Sequence, residues 1–141
     1  MCSSDLVLAT LHTNDSVSAV TRLTDMGIEP FLLSSSLLGV VAQRLLRKLC
    51  AQCRQPDPVS RGWRAVGCTA CNRSGFQGRT GVHETFVVND EIRTLIHNHA
   101  SEADLRSAAT RAGLVSMRED GRRFLQAGIT SLDELVRVTG D

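Results

Sequence analysis

Tyrosine is absent from this chain, tryptophan occurs once and phenylalanine four times. A core built from these residues must be mostly aliphatic. A base-stacking platform for single-stranded nucleic acid would have only Trp63 and Phe76 to draw on. Long apolar runs are also missing. The longest, Phe31 to Leu46, is broken by Ser34, Ser35, Ser36, Gln43 and Arg44, whereas a membrane-spanning helix needs roughly 20 apolar residues in a row. No basic segment followed by an apolar stretch opens the sequence, so no secretory signal peptide is expected. The Gly-x4-Gly-Lys-Ser/Thr phosphate loop occurs nowhere, and Gly75, Gly78 and Gly81 imitate it only superficially. Charge of one sign is not in excess either: the formal net charge of +1 is low for a dedicated nucleic-acid binder. With 141 residues, 42% of them hydrophobic, the chain can form one core and a small satellite unit.

What the sequence does contain is two identical cysteine pairs, Cys50-Ala-Gln-Cys53 and Cys68-Thr-Ala-Cys71. Each pair places two sulfurs on one side of a tight turn, and the intervening loop, Arg54 to Gly67, is long enough to fold back. Four thiolates at tetrahedral corners are what structural Zn²⁺ requires. The inter-pair spacing falls just below the usual window for such sites. The alternative is a reduced or disulfide-linked loop with accidental spacing. Paired cysteines without a signal peptide point to a reducing compartment and a metal. A closed four-sulfur site leaves no position for water, so zinc here would be structural. Charge clusters around this segment: Gln43 to Arg79 holds eight Lys/Arg against Asp57 alone. That basic stretch reads either as a solvated face or as a docking surface for an acidic partner or phosphate.

Leu6 to Leu11 reads as a short buried strand. It is followed by the polar run His12 to Ser16, which offers N-cap residues. Val17, Val20, Leu23 and Met26 recur at helical spacing and Gly27 is a stop signal. Pro30 fits the first turn of a second helix, predicted to run to about Leu49 and to be largely buried. Its basic end, Arg44, Arg47 and Lys48, would suit the helix dipole. Pro56 and Pro58 make the inter-cysteine loop irregular. Val82 to Val88 reads as extended. The rest is predicted helical, with starts at Asn89 or Asp90, at Ser101 with Asp104, near Glu119, and at Ser131 with Glu134 as a capping box. Gly113 and Gly128 are stops.

Several segments resemble one family in order. Val7 to Asp15 (Val-Leu-Ala-Thr-Leu-His-Thr-Asn-Asp) is similar to a His box. Ala42-Gln43-Arg44-Leu45 resembles the Gln-Arg-Leu segment, the cysteine pairs a zinc-binding insertion, and Gly78 to Glu84 the Gly-Arg-Thr-Gly element after it. Gly128 to Glu134 and Val138 to Asp141 look like the C-terminal end. Together these resemble the C-terminal portion of the secretion ATPases of type II secretion and type IV pilus assembly, with the Gly-Arg-Thr-Gly-Val-His-Glu form favouring the type II member, general secretory pathway protein E. The resemblance implies an α/β fold, the C-terminal part of a RecA-like P-loop ATPase domain, with a tetracysteine zinc-binding subdomain and a helical tail. It divides the chain into residues 7–49 (ATPase core), 50–74 (zinc subdomain) and 75–141 (extended segment and helical tail). The intact enzyme would hydrolyse ATP with Mg²⁺ as a homo-hexamer. It would be peripheral to the cytoplasmic face of the inner membrane, against platform proteins of the secretion system, with no nucleic-acid partner.

The resemblance also assigns residues. His12 would lie near the nucleotide γ-phosphate, to orient water or sense the phosphate, although local sequence alone favours a hydrogen-bonded structural histidine. Thr10 and Thr13 would assist by hydrogen bonding. Arg44 could reach a phosphate or carboxylate, or serve as a helix-end charge at a subunit interface. Cys50, Cys53, Cys68 and Cys71 would hold the zinc. Two departures stand out. The inter-cysteine loop is shorter than the family's, and the Walker A, aspartate-rich and Walker B elements would precede residue 6. The chain is therefore expected to show no ATPase activity alone. Met1-Cys2-Ser3-Ser4-Asp5-Leu6 reads like a translated sequencing adapter, which makes residues 1–6 an expected non-native leader and gives Cys2 no role. The rival readings are a type IV pilus ATPase fragment, a free-standing zinc ribbon that binds nucleic acid, and a structural docking domain.

Overall fold

Three consecutive serines decide where the second helix ends. Ser34, Ser35 and Ser36 each turn a hydroxyl back onto a helix carbonyl, those of Phe31, Leu32 and Leu32, a pattern that weakens a helix from within. Leu37 then leaves the helical region at ψ 121°, and the β-branched pair Val40 and Val41 continues as a strand. The computed structural model describes residues 6–140; Cys2, most of the expected leader and Asp141 lie outside the described residues. Helices α1 (Ser18–Asp25) and α2 (Pro30–Ser36) come first. Strand β1 (Gly39–Leu49) follows, then a small hairpin of β2 (Gln55–Asp57) and β3 (Gly62–Arg64), and the long strand β4 (Phe76–Val87). Four helices complete the chain: α3 (Asp90–His97), α4 (Glu102–Arg111), α5 (Met117–Gln126) and α6 (Leu132–Thr139). No helix among the described residues is long and apolar enough to cross a membrane.

Two sequence expectations are corrected here. The second helix does not run to Leu49, because Gly39 to Leu49 pairs antiparallel with β4 from Gly39↔Val87 to Arg47↔Arg79, with a bulge before Leu49↔Phe76. At Gly39 a side chain would not fit, since a Cβ would lie 2.9 Å from the Phe86 carbonyl oxygen. Leu6 to Leu11 forms no strand and is not buried: Val7 is 81% and Leu8 87% exposed. It joins neither of the two-stranded sheets among the described residues. The Gly-rich stretch before Val82 is itself the first half of β4.

The β1–β4 ribbon presents Val40, Ala42, Arg44 and Leu46 inward, opposite Phe86, Glu84, Val82 and Thr80. Near its Gly39 end, Phe86 and Val88 pack with Val17, Val20, Leu33, Ile92, Ile96, Leu105, Ala108 and Ala109 from α1 to α4. Near its other end Leu46 and Val82 pack with Met117, Leu135 and Val138 of α5 and α6. The predicted starts at Asn89, Ser101 and Ser131 are capped as expected: each side chain accepts the backbone N–H three residues on. Ser116 caps α5 in the same way, earlier than the Glu119 start expected from sequence.

Glu134 was expected to close a capping box, but its carboxylate is used elsewhere. It accepts the Arg47 backbone N–H at 2.9 Å, Arg47 Nε and Nη2 at 3.0 and 2.7 Å, and Arg137 Nε and Nη2 at 2.9 and 2.6 Å. Burial alone would raise this carboxyl, but the Arg137 and Arg47 hydrogen bonds hold it down, to about 2 from an ordinary 4.5. Next to this cluster the inter-cysteine hairpin docks on the α5–α6 turn. Arg54 lies 4.6 Å over the Trp63 ring and donates to the Gly128 carbonyl. Leu49 N–H donates to Ile129 O at 2.7 Å, and Thr130 Oγ1 to Arg47 O at 2.9 Å.

Two outcomes are expected. Glu134→Ala removes the acceptor shared by the Arg47 N–H and two half-exposed guanidiniums and should cost about 1–3 kcal/mol in urea unfolding. Because the folded carboxyl titrates near 2 and an ordinary one near 4.5, its stabilisation is complete above pH 4.5 and is lost as pH falls toward 2, at most about 3 kcal/mol in all. An acid titration of stability that is unchanged by Glu134→Gln would contradict this. At Gly128, φ is +66° and a Cβ would stand 2.7 Å from the Trp63 ring. Gly128→Ala should therefore cost about 1–3 kcal/mol and shift the emission of the single tryptophan, while Gly113→Ala, where a Cβ meets nothing, should leave that emission alone.

Candidate functional site

The four cysteines come together because two tight turns face each other across the base of the ribbon. After β1, Cys53 and Arg54 N–H groups both point at the Cys50 carbonyl, at 3.3 and 3.0 Å. In the second turn Cys71 and Arg73 N–H groups point at the Cys68 carbonyl, at 3.3 and 2.7 Å, and Asn72 and Arg73 take left-handed φ values of 50° and 61°. Cys50 N–H donates to Gly75 O at 2.9 Å, which ties the first turn to the start of β4.

All four Sγ atoms lie within 4.8 Å of one another. The Cys50–Cys68, Cys53–Cys71 and Cys68–Cys71 separations are 3.9, 3.8 and 3.8 Å. A disulfide would need about 2.05 Å, and all four cysteines are free. A regular tetrahedron of sulfurs at 2.3 Å from its centre has edges of about 3.8 Å, so the spacing fits a metal site with four thiolate ligands. Backbone N–H groups also aim at sulfur: Gly67 at Cys53 (3.3 Å), and Cys68 and Gly75 at Cys71 (3.2 Å each). The Cys68 N–H leads in pushing the Cys71 thiol down to about 6. Burial pushes the Cys53 thiol up to about 11. A divalent cation is the group that makes four thiolates at these separations compatible.

His12 is exposed. It lines an open cleft with Thr13, Asn14, Thr21, Arg22 and Glu102. Thr10 is exposed outside that cleft, and Arg44, on β1 and not on a helix, uses its guanidinium on two carbonyls. It donates to Asn14 O at 3.3 Å and to Val138 O at 3.2 Å. The structure thus brings Arg44 to the His12 loop, but through the backbone of that loop. Sequence reasoning missed two further contacts. Arg106 reaches Asp15 at 2.9 Å, and Glu84 accepts both the Ser16 N–H and the Ser16 hydroxyl. Burial alone would raise the Asp15 carboxyl, yet the Ser18 N–H and Arg106 together hold it below its ordinary value. The available signal for Glu84 was its place at the end of the Gly-Arg-Thr-Gly element; nothing local marks Arg106.

Against known proteins, the family model described as "Type II/IV secretion system protein" matches residues 1–137. The chain is similar to the type II secretion system protein HxcR of Pseudomonas aeruginosa, 64% identical over 136 residues, covering 96% of this chain and 29% of that protein. The type II secretion system ATPase E of Vibrio cholerae is 48% identical over 149 residues, covering 95% and 29%. The type IV pilus assembly ATPase PilB of Thermus thermophilus is 40% identical, covering 95% and 17%. The chain thus spans under a third of the length of these curated relatives. Its fold matches part of the crystal structure of the pilus retraction motor PilT with bound ADP, at a TM-score of 0.59, with 20% identity over 90% of this chain and 30% of that one. The mixed α/β chain with its four-cysteine cluster belongs to the Type II/IV secretion system protein family, among the type II secretion ATPase E proteins.

Proposed function

We propose that this chain is the C-terminal segment of a type II secretion ATPase whose intact form hydrolyses ATP with Mg²⁺ to drive pseudopilus assembly and protein export. The observation that carries the reading is the 64% identity to HxcR over 96% of the chain. The lower 40% identity to PilB favours the type II reading over the pilus one. On this reading residues 7–49 belong to a RecA-like core, 50–74 form the zinc subdomain and 75–141 the extended segment and helical tail. The intact protein is a homo-hexamer on the cytoplasmic face of the inner membrane, against the platform proteins of the secretion system.

Cys50, Cys53, Cys68 and Cys71 are the residues that would hold zinc. When bound, zinc supplies a closed four-sulfur cross-link and no catalytic position. The protein's own residues then hold the knuckle against the α5–α6 turn through Arg54, Trp63 and Gly128. His12, with Thr10 and Thr13 beside it, faces the nucleotide, where an imidazole can orient water or sense the γ-phosphate. Arg44 acts on the backbone of that loop. The nucleic-acid reading loses support because Trp63, its best stacking residue, is covered by Arg54.

Protein purified under reducing conditions should carry one zinc per chain, and Cys68→Ser should lose it. A zinc-free wild type, or full retention in Cys68→Ser, would contradict the four-sulfur site. Zinc removal should also release Trp63 from the α5–α6 turn, with a change in its fluorescence. In the full-length enzyme, His12→Ala should lower ATP turnover by roughly 10²-fold or more at nearly unchanged stability. Equal losses of stability and turnover would make His12 structural. The chain of 141 residues should by itself show no Mg²⁺-dependent turnover.

A further inference from the structure

We propose that Glu84 is a positioning residue for the His12 loop, and that with Arg106 it makes the seat of His12 depend on elements that follow the metal knuckle, while Arg44 of β1 adds a third anchor. The functional half of this inference rests on the nucleotide-facing reading of His12; the structural half does not.

The loop cannot hold itself. Thr13, Asn14, Asp15 and Ser16 carry no apolar side chain, and the preceding Leu6 to Leu11 run is exposed. Its internal bonds are short-range ones, Thr13 Oγ1 to Asp15 O and Ser18 N–H to Asp15 Oδ1. Three consecutive residues are instead held by three different downstream elements. Asn14 O takes Arg44 of β1, Asp15 takes Arg106 of α4, and Ser16 takes Glu84 of β4.

Glu84 is the most buried of these anchors. It sits on the inward face of the ribbon opposite Ala42 and is 3% exposed. One of its oxygens, Oε1, accepts Ser16 N–H at 3.0 Å and Ser16 Oγ at 2.5 Å. A carboxylate in that position is costly unless fully used, and a valine would pack there more easily. Arg106 feels the Glu84 charge as well as that of Asp15, so the acid on the ribbon and the acid on the loop share one guanidinium field. Arg44 extends the same clamp to α6, since its second bond is to Val138 O. The His12 backbone begins two residues before the first of these anchors.

The test uses the zinc-loaded chain, with amide exchange and the imidazole signals of His12 read by NMR. Glu84→Ala should speed exchange of the Ser16 amide by about tenfold or more and move the His12 signals, while amides of α5 and α6 stay within about twofold. Glu84→Gln keeps an acceptor oxygen and should restore most of the effect. Unmoved His12 signals, or equal acceleration throughout the chain, would overturn the proposal. If Glu84→Ala does not fold, Ser16→Ala, which removes only the hydroxyl, is judged by the same criterion. In the full-length ATPase, Glu84→Ala should lower kcat about tenfold with KM for ATP within about twofold, and adding Glu84→Ala to His12→Ala should cost nothing further. Additive losses would overturn the link to His12. Full turnover in His12→Ala alone would overturn the nucleotide-facing reading, leaving the exchange measurements to decide whether Glu84 holds the loop.

Discussion

The antiparallel pairing of β1 with β4 is the constraint on which the rest of the molecule depends. A two-stranded ribbon is at best marginally stable by itself, and this one is held by closing both ends and covering one face. At the Gly39 end, Leu38 O accepts Val88 N–H at 3.0 Å and the helices α1 to α4 enclose Phe86. At the other end the chain leaves the ribbon at Cys50 and must return to it at Gly75. Cys50 N–H on Gly75 O and Gly75 N–H on Cys71 Sγ hold exit and return together. A metal held by the four cysteines at that point would shorten the effective loop between the strands and lower the entropy cost of pairing them.

Two buried carboxylates then fix what packs on the covered face. Glu84 points from the ribbon to the start of α1, and Glu134 points from α6 back to the ribbon at Arg47. Each is 3% exposed or less; Oε1 of Glu84 accepts two donors from Ser16, and both oxygens of Glu134 accept from Arg47 and Arg137. Apolar contacts alone would let the helices slide along a smooth ribbon face. A carboxylate that must meet specific N–H groups selects one register, because any other leaves a buried charge unpaired. Glu134 binds a backbone N–H as well as guanidiniums, so its position is referred to the β1 backbone itself.

These carboxylates explain what was legible in the sequence and what was not. Features set by neighbours a few residues apart were readable: the caps at Asn89, Ser101 and Ser131, and the cysteine turns. The ribbon was not. On β1, Arg44 faces inward because two distant carbonyls accept its guanidinium, while Val41 and Leu45 face outward and are exposed. That reverses the polar and apolar signs at alternate positions, and it erases the period-2 pattern by which a strand is recognised. The apolar residues left over mimic a broad helical face, which is how the helix was extended to Leu49. Glu84 and Glu134 find their partners 68 and 87 residues away, a separation that no local window reports. Leu6 to Leu11 shows the converse: its composition suits a strand, but pairing needs a second strand.

Helix α6 connects the two ends of this arrangement. Near its start, Glu134 grips Arg47, Thr130 donates to the Arg47 carbonyl, and the knuckle's Arg54 donates to Gly128. Near its end, Val138 O takes Arg44, whose other donor holds Asn14 of the His12 loop. The helix has eight residues, about 12 Å at 1.5 Å per residue. Over the same interval β1 advances from Arg44 to Arg47, about 10 Å. The two contacts on the helix, Glu134 and Val138, are about 6 Å apart along its axis, and the long Arg44 and Arg47 side chains span the difference from the strand. The four-cysteine knuckle and His12 lie far apart in sequence and contribute different chemistry. Between them, helix α6 contacts β1 at both Arg47 and Arg44.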